Sequence, residues 1–424
     1  MSEALQSAST LDAIEPDRGP NRAFRDDPAA PATSAPGSQN ALWGAVVSMM
    51  LGVFGLVTAE FLPASLLTPM ARDLGVTEGV AGQAVTATAT VALITSLLVA
   101  TVTRRLDRRI VLLAFSILLI ASNLLVASAS SLPALIAGRV LLGVALGGFW
   151  TMSAATVMRL VPEALVPRAL SILFSGVSAA TVFAAPVGSY VGDIAGWRAV
   201  FLMAAGLGAL ALVVQFTTLP RLEPRGHARL KTLWEVLMRP QIGLGMIAVT
   251  LVFTGHFAFF TYIRPFLETV TGVGISTMSA ILLGFGIANF LGTFLGGFLL
   301  ERSLRLTLAA MPLAMGVLGL MLAGLGSAPA ADTVLIALWG LAFGAVPVAW
   351  TAWITRAVPD ETESGTALIV AVIQLAIALG AAGGGTIFDV SGASGVFVAA
   401  GLVLLLAVLL ILAGVRSRLA TATA

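Results

Sequence analysis

From Leu42 onward, long apolar runs alternate with short polar breaks to the end of the chain. A helix needs about 20 consecutive apolar residues to cross a hydrocarbon core about 30 Å thick. The pattern predicts twelve such helices, at 42–66, 80–103, 110–129, 132–157, 169–192, 198–218, 241–263, 275–300, 306–326, 332–355, 365–388 and 394–415. Residues 1–40 differ in kind. They hold Pro16, Pro20, Pro28, Pro31 and Pro36 among acids, arginines, Ala and Ser, and they contain no apolar run. Such a stretch cannot bury enough apolar surface to order itself, and it is expected to be a disordered tail.

Composition narrows the class. The 424 residues are 58% hydrophobic and only 10% charged, with a mean hydropathy of +1.00. Soluble domains carry about 25% charged residues, so this chain could not cover a water-facing surface. That excludes a soluble enzyme, a nucleic-acid binder and a disordered protein. Cysteine is absent and histidine occurs twice, so no disulfide, thiolate metal site or histidine cluster is expected. Neither a cofactor nor a metal is called for.

The basic residues set an orientation. Those outside residues 1–40 crowd into every second connection: Arg104, Arg105, Arg108 and Arg109, then Arg159 and Arg168, then Arg221 to Arg239, then Arg302 and Arg305, then Arg356 and the tail. The intervening connections hold only Arg72, Arg198 and Arg264, and Arg139 lies inside a span. The positive-inside rule then puts both termini and the central loop in the cytoplasm. The chain also repeats. Gly143, Gly147, Arg159 and Pro162 return as Gly340, Gly344, Arg356 and Pro359, each 197 residues later. The expected architecture is an all-α membrane protein with twelve transmembrane helices in two pseudo-symmetric six-helix bundles. Its parts would be a tail at 1–40, a bundle at 41–218, a cytoplasmic loop at 219–240, a second bundle at 241–415 and a tail at 416–424. Parallel repeats of this kind occur in secondary transporters that rock two halves about a midplane site.

Several motifs bear on chemistry. After the second span the chain reads Thr-Arg-Arg-Leu-Asp107-Arg108-Arg109, and after the eighth Gly297-Phe-Leu-Leu-Glu301-Arg302-Ser-Leu-Arg305. This resembles the loop signature of the major facilitator superfamily, although Val102 and Thr103 stand where glycines are usual. Asp107, Arg108, Glu301 and Arg302 are therefore candidate gating residues, able to form a charge network across the halves. Arg139 followed by Gly143, Gly147 and Trp150 shares one helical stripe and resembles the family's fourth-span motif. Ala185-Pro186-Val187-Gly188 resembles the Gly/Pro pattern of its drug:proton antiporter branch, which makes Pro186 and Gly188 gating candidates. The resemblance implies a major facilitator fold, proton-coupled export by alternating access, and no enzymatic activity.

Glu60 and Arg139 are the best proton-coupling candidates, with His256 as a third. A carboxylate inside a span can cycle between charged and neutral forms, and an intramembrane ionisable residue is functional by default. Glu60 and Arg139 fall at similar depth, so a pair that protonation breaks is expected. Longer strings, from Glu60-Phe-Leu-Pro-Ala-Ser-Leu-Leu-Thr-Pro to Val346-Pro-Val-Ala-Trp-Thr-Ala-Trp-Ile-Thr-Arg, are similar to bacterial purine ribonucleoside exporters of that superfamily. This implies export of nucleosides such as inosine and guanosine against protons across the bacterial inner membrane. A purine asks for flat aromatic surface, worth about 1–3 kcal/mol per stacked base, and a few convergent polar groups. Trp150, Phe257, Phe260 and Trp350 can supply the first, and Gln83, Thr151, Asn289 and Gln374 the second. Export of drugs or sugars is the alternative. The partners expected are a small solute, protons and the bilayer, with no nucleic acid, and the chain is expected to act as a monomer.

The arginine pattern fixes a topology test. A green fluorescent reporter inserted at Leu106 or Leu222 should fluoresce in cells, and one inserted at Ala129 or Val273 should stay dark. The reverse pattern would invert the orientation.

Overall fold

The computed structural model describes residues 41–223, 230–240, 242–326 and 328–414. The expected tails at 1–40 and 416–424, and part of the expected central loop, lie outside the described residues. Within them the long elements are all helices. The first bundle comprises α1 (Trp43–Leu74), α2 (Glu78–Val102), α3 (Arg108–Ala127), α4 (Leu132–Met158), α5 (Val166–Ala195) and α6 (Trp197–Thr218). A short helix that the hydropathy pattern did not predict, α7 (Leu230–Leu237), precedes the second bundle. That bundle comprises α8 (Ile242–Thr261), α9 (Ile263–Thr269), α10 (Ile275–Arg302), α11 (Leu304–Leu325), α12 (Pro329–Ala357) and α13 (Thr362–Gly414).

α13 accounts for the last two expected spans. It runs for 53 residues and contains one non-helical residue, Gly392, at φ 68°. A straight helix of that length would measure about 80 Å, far more than a bilayer core. The contacts show that it folds back. Gly380 packs on the Thr254 carbonyl, while Gly255 packs on Leu404 and the Ala400 carbonyl. Residues twenty positions apart on α13 thus meet the same turn of α8. A left-handed glycine is the residue that permits so sharp a reversal.

Two other departures have local causes. α1 continues past the expected end at 66, through Thr68-Pro69-Met-Ala-Arg-Asp, and stops only at Gly75. That residue has φ 66°, and its N–H caps the Ala71 and Arg72 carbonyls, a left-handed C-terminal cap. The seventh span divides at Tyr262 (φ −107°, ψ 14°). Pro265 has no N–H to offer the Thr261 carbonyl four residues earlier, so the helix breaks there.

The internal repeat is visible as packing. A side chain at Gly143 would strike the Thr88 carbonyl, and one at Gly340 would strike the Phe285 carbonyl. Likewise Gly147 abuts the Ala92 carbonyl and Gly344 the Asn289 carbonyl. All four partners keep the 197-residue offset. Each bundle therefore presses its fourth long helix onto its second through two glycines, the small-residue contact that membrane helices use to approach closely. The two halves differ at their seam. The second bundle's core runs on into Ala64, Leu67, Ala71, Ala81 and Val85 of the first. These residues lie toward the arginine-poor end, called the outer end below. The side-chain contacts between halves described below lie at mid-height or toward that end.

Gly344→Val should lower the melting temperature of the detergent-purified protein, because overpacking costs about 1–3 kcal/mol and the Asn289 carbonyl is main chain that cannot swing away. An unchanged melting temperature would contradict this contact.

Candidate functional site

Glu60 sits near the middle of α1, 7% exposed. Its Oε1 is buried and has no hydrogen-bond partner. Its neighbours come from both halves. The Gln374 side chain of α13 lies close to the carboxyl group, and Gln374 is itself 3% exposed with an unpartnered Oε1. A small chamber at this junction is lined by Glu60, Phe61, Ala64 and Val85 from the first bundle and by Phe257, Phe260, Thr261 and Ile377 from the second. It admits about 10 Å³ of a water-sized sphere, room for a single water. Phe61 stacks edge-on against Phe260, with centroids 5.2 Å apart, and lies 6.5 Å from Phe257. Glu60 and Phe257 are themselves 197 residues apart, so the acid of one half faces the aromatic at the equivalent position of the other.

Arg139 is fully buried in α4. Its Nη1 donates to the Ala59 carbonyl at 2.8 Å, its Nη2 to the Glu60 carbonyl at 3.4 Å and its Nε to the Ala84 carbonyl at 3.4 Å. The expected side-chain pair with Glu60 is thus replaced by bonds to the main chain. The reason lies in α1. Pro63 stands four residues after Ala59 and has no N–H, so the Ala59 carbonyl lacks its helical donor. A bilayer interior offers no water to repair such a group, and the arginine fills the gap. Arg139 therefore holds α1 against α2 and α4 beside Glu60, close enough for its charge to act on the carboxylate.

His256 lies 2% exposed in an aromatic nest. Trp339 Nε1 donates to its Nδ1 at 3.2 Å, and its ring stacks with Phe343, Phe260 and Phe285. Because indole can only donate, Nδ1 is the bare acceptor of this ring. His256 is one ring removed from the chamber, behind Phe257 and Phe260.

Other expected residues lie elsewhere. Trp350 is 1% exposed and packs edge-on to Trp353 in the second bundle's core, eleven residues or about 16 Å along α12 from Trp339. Trp150 packs beside Phe174 of α5. Thr151 bonds to the Gly147 and Ser96 carbonyls, and Asn289 bonds to the Gly340 carbonyl. None of these lines the chamber, whereas Phe257, Phe260 and Gln374 do meet at Glu60. Periodicity marked all of these residues as intramembrane polar or aromatic groups but could not say which stripe faced the other half.

The signature loop is also differently engaged. Asp107 Oδ1 accepts from the N–H groups of Arg109 at 2.8 Å and Leu222 at 3.0 Å, while Arg108 Nη1 donates to Thr103 Oγ1 at 2.7 Å. These bonds cap α3 and tie it to the segment leaving α6, all on the first bundle's side. Glu301 and Arg302 are exposed, with Arg302 over the Phe298 ring. The expected charge network across the halves is not what these bonds form here, because the free N–H groups at the start of α3 are the nearer donors. Pro186 is buried, and the Val182 carbonyl that it frees faces Gly286 of α10, at a crossing of the two halves. Gly188 lets α5 close onto Ser65 and Leu62 of α1.

Two helical bundles, a duplicated glycine contact and a buried acid at their junction define a secondary transporter. Over residues 49–381 the sequence matches the Major Facilitator Superfamily, and the chain belongs to that family; it is a transporter and not an enzyme. Among curated proteins it is 46% identical to the Purine ribonucleoside efflux pump NepI of Escherichia coli (strain K12), over 89% of this chain and 95% of that protein. It is equally similar to the pump of the same name in Shigella flexneri, again at 46% over 89% and 95%, and in Salmonella enteritidis PT4, at 46% over 88% and 94%. Among solved structures it resembles a bacterial homolog to the human lysosomal transporter Spinster, in an inward-facing and occupied conformation. The TM-score is 0.74 at 15% identity, covering 90% of this chain and 98% of the other. A POT family transporter in complex with 5-aminolevulinic acid gives 0.70 at 13%, covering 88% and 96%. At such identities these two structures speak to the fold.

Arg139→Leu should destabilise the protein by about 1–3 kcal/mol, the cost of an orphaned buried carbonyl. Pro63→Ala, which returns an N–H to Ala59, should reduce that loss. A double-mutant cycle on melting temperature checks it, and strict additivity would refute the link between Pro63 and Arg139.

Proposed function

We propose that the protein exports purine ribonucleosides such as inosine and guanosine in exchange for protons, by alternating access across the bacterial inner membrane, with its arginine-rich end in the cytoplasm. The observation that carries this reading is Glu60, a buried carboxylate on the seam of the two halves whose Oε1 has no donor. Buried polar atoms are normally satisfied. A proton on Glu60 would turn an orphaned acceptor into a donor beside Gln374, whose own Oε1 is a buried acceptor without a partner. Proton arrival thus changes the bonding between one bundle and the other, which is what coupling requires.

The cargo reading rests on the nucleoside pumps that the chain resembles and on the chamber wall. Phe61, Phe257 and Phe260 give stacking surface, and Gln374 gives an amide that can read a base edge or a ribose hydroxyl. In the present state the chamber has room for one water, so cargo enters only when the two halves move apart around it. A neutral nucleoside needs no fixed counter-charge, which leaves Glu60 to the proton. Arg139 and His256 act by position in this reading, the first holding α1 in place and the second backing the aromatic wall. Asp107, Arg108, Glu301 and Arg302 serve the arginine-rich end, where they would re-form contacts as the halves rock.

Energetically the scheme closes. A proton crossing about 100 mV releases about 2.3 kcal/mol, and at about 1.4 kcal/mol per tenfold it sustains a solute gradient of about 50-fold. In proteoliposomes, Glu60→Gln should abolish inosine accumulation driven by a proton gradient while inosine–inosine exchange continues. Gradient-driven accumulation that persists in Glu60→Gln would remove Glu60 from coupling. Wild-type liposomes that exchange cationic dyes or sugars but not inosine would remove the nucleoside.

A further inference from the structure

α1 contains a second proline, and the second bundle answers it. Pro69 stands four residues after Ser65 and has no N–H, so the Ser65 carbonyl has no helical donor. Arg264 of α9, 4% exposed, donates from Nη1 to that carbonyl. Its Nε is held by Glu268 Oε1 at 2.8 Å, which fixes the plane of the guanidinium. The arrangement repeats what Pro63, Ala59 and Arg139 do about one and two-thirds turns earlier, with one difference. Arg139 belongs to the same bundle as α1, and Arg264 belongs to the other.

The contact lies between two spaces. On one side is the Glu60 chamber, lined on α1 by Glu60, Phe61 and Ala64 and on the second bundle by Phe257, Phe260 and Thr261. On the other side is a polar outer vestibule of about 500 Å³, lined by Thr68, Pro69, Arg72 and Asp73 of α1, Asp193, and Arg264 and Glu268. Ser65 falls between the two sets on α1, and Arg264 stands at the vestibule's inner edge, three residues after Thr261 of the chamber.

We propose that Arg264, seated on the carbonyl that Pro69 frees, is the latch of the outer gate. While it is closed it separates the vestibule from the chamber, and it releases in every cycle when the outer ends part. The proline supplies an acceptor that would otherwise be bonded within its own helix. The arginine supplies a charged donor from the opposite half, and Glu268 keeps that donor aimed once the contact opens. Thr77 Oγ1 to Asp389 Oδ2 at 3.1 Å and Ser189 Oγ to Met278 Sδ at 3.5 Å join the same seam. They are single neutral or exposed contacts, whereas the latch is charge-assisted and buried, the stronger kind. The inference deepens the transport reading and assumes only that the two halves alternate.

The chain has no cysteine, which permits a direct test. Ser189→Cys places one thiol on the seam at a position that is fully buried when the outer end is closed. Its reaction with a membrane-impermeant maleimide added to intact spheroplasts reads how often that end opens. Pro69→Ala, which lets the helix reclaim the Ser65 carbonyl, should speed labelling about tenfold, the equivalent of about 1.4 kcal/mol. Arg264→Gln should do the same, and the two together should add little beyond either. Arg264→Met, which also removes the donor, replaces Arg264→Gln if the latter does not fold. Unchanged labelling in either single variant, or effects that multiply in the double, overturns the latch. The readout involves no solute and no proton gradient. Loss of inosine transport with this labelling pattern intact would refute the nucleoside reading and leave the latch standing.

Discussion

A proline inside a membrane helix leaves a main-chain carbonyl with no donor, and hydrocarbon supplies none. The working part of this protein is organised around that constraint. α1 carries Pro63 and Pro69 in its outer half, and each freed carbonyl is met by a buried arginine. A bare arginine at such depth costs about 2.5–3.5 kcal/mol even on the gentler insertion scale, so neither partner is stable there alone. Together they satisfy each other. Glu60 lies close to the first of these pairs, and its own carboxylate is left for other chemistry because Arg139 is engaged by the backbone.

The duplication supplies the frame and the departures from it supply the function. Gly143 and Gly147 in one half, and Gly340 and Gly344 in the other, press equivalent helices together at equivalent carbonyls. On that common frame the halves diverge. Arg139 has Ile336 as its counterpart, and Glu60 has Phe257. One half thus brings charge and the other an aromatic wall, and they meet at a chamber built from both.

Much of this was legible in the residues. Twelve apolar runs, the alternating arginines and the 197-residue offset gave the fold, since each follows from bilayer thickness, membrane topology or repeat packing. Glu60 and Arg139 stood out because ionisable groups in spans are rare. Their relation did not, because a pattern of residue types cannot say that a guanidinium will choose a carbonyl over a carboxylate. The link was visible in principle, in the four-residue steps from Ala59 to Pro63 and Ser65 to Pro69, but only a structure shows which arginine arrives. Phe257, Phe260 and Gln374 lie around Glu60, while Trp350 and Thr151 share the same composition signal and pack into core or bond to main-chain carbonyls. The reversal at Gly392 and the break at Tyr262 depend on single residues that hydropathy averages away.

The turns at the outer end are short. Residues 75–77 join α1 to α2, Gly196 alone separates α5 from α6, and Gly392 alone turns α13 back on itself. No flap long enough to fold over the vestibule exists among these three connections. Sealing that face therefore falls to rigid rods meeting end to end, and the barrier to parting them is enthalpic, set by a few side-chain bonds, not by the ordering of a floppy cover.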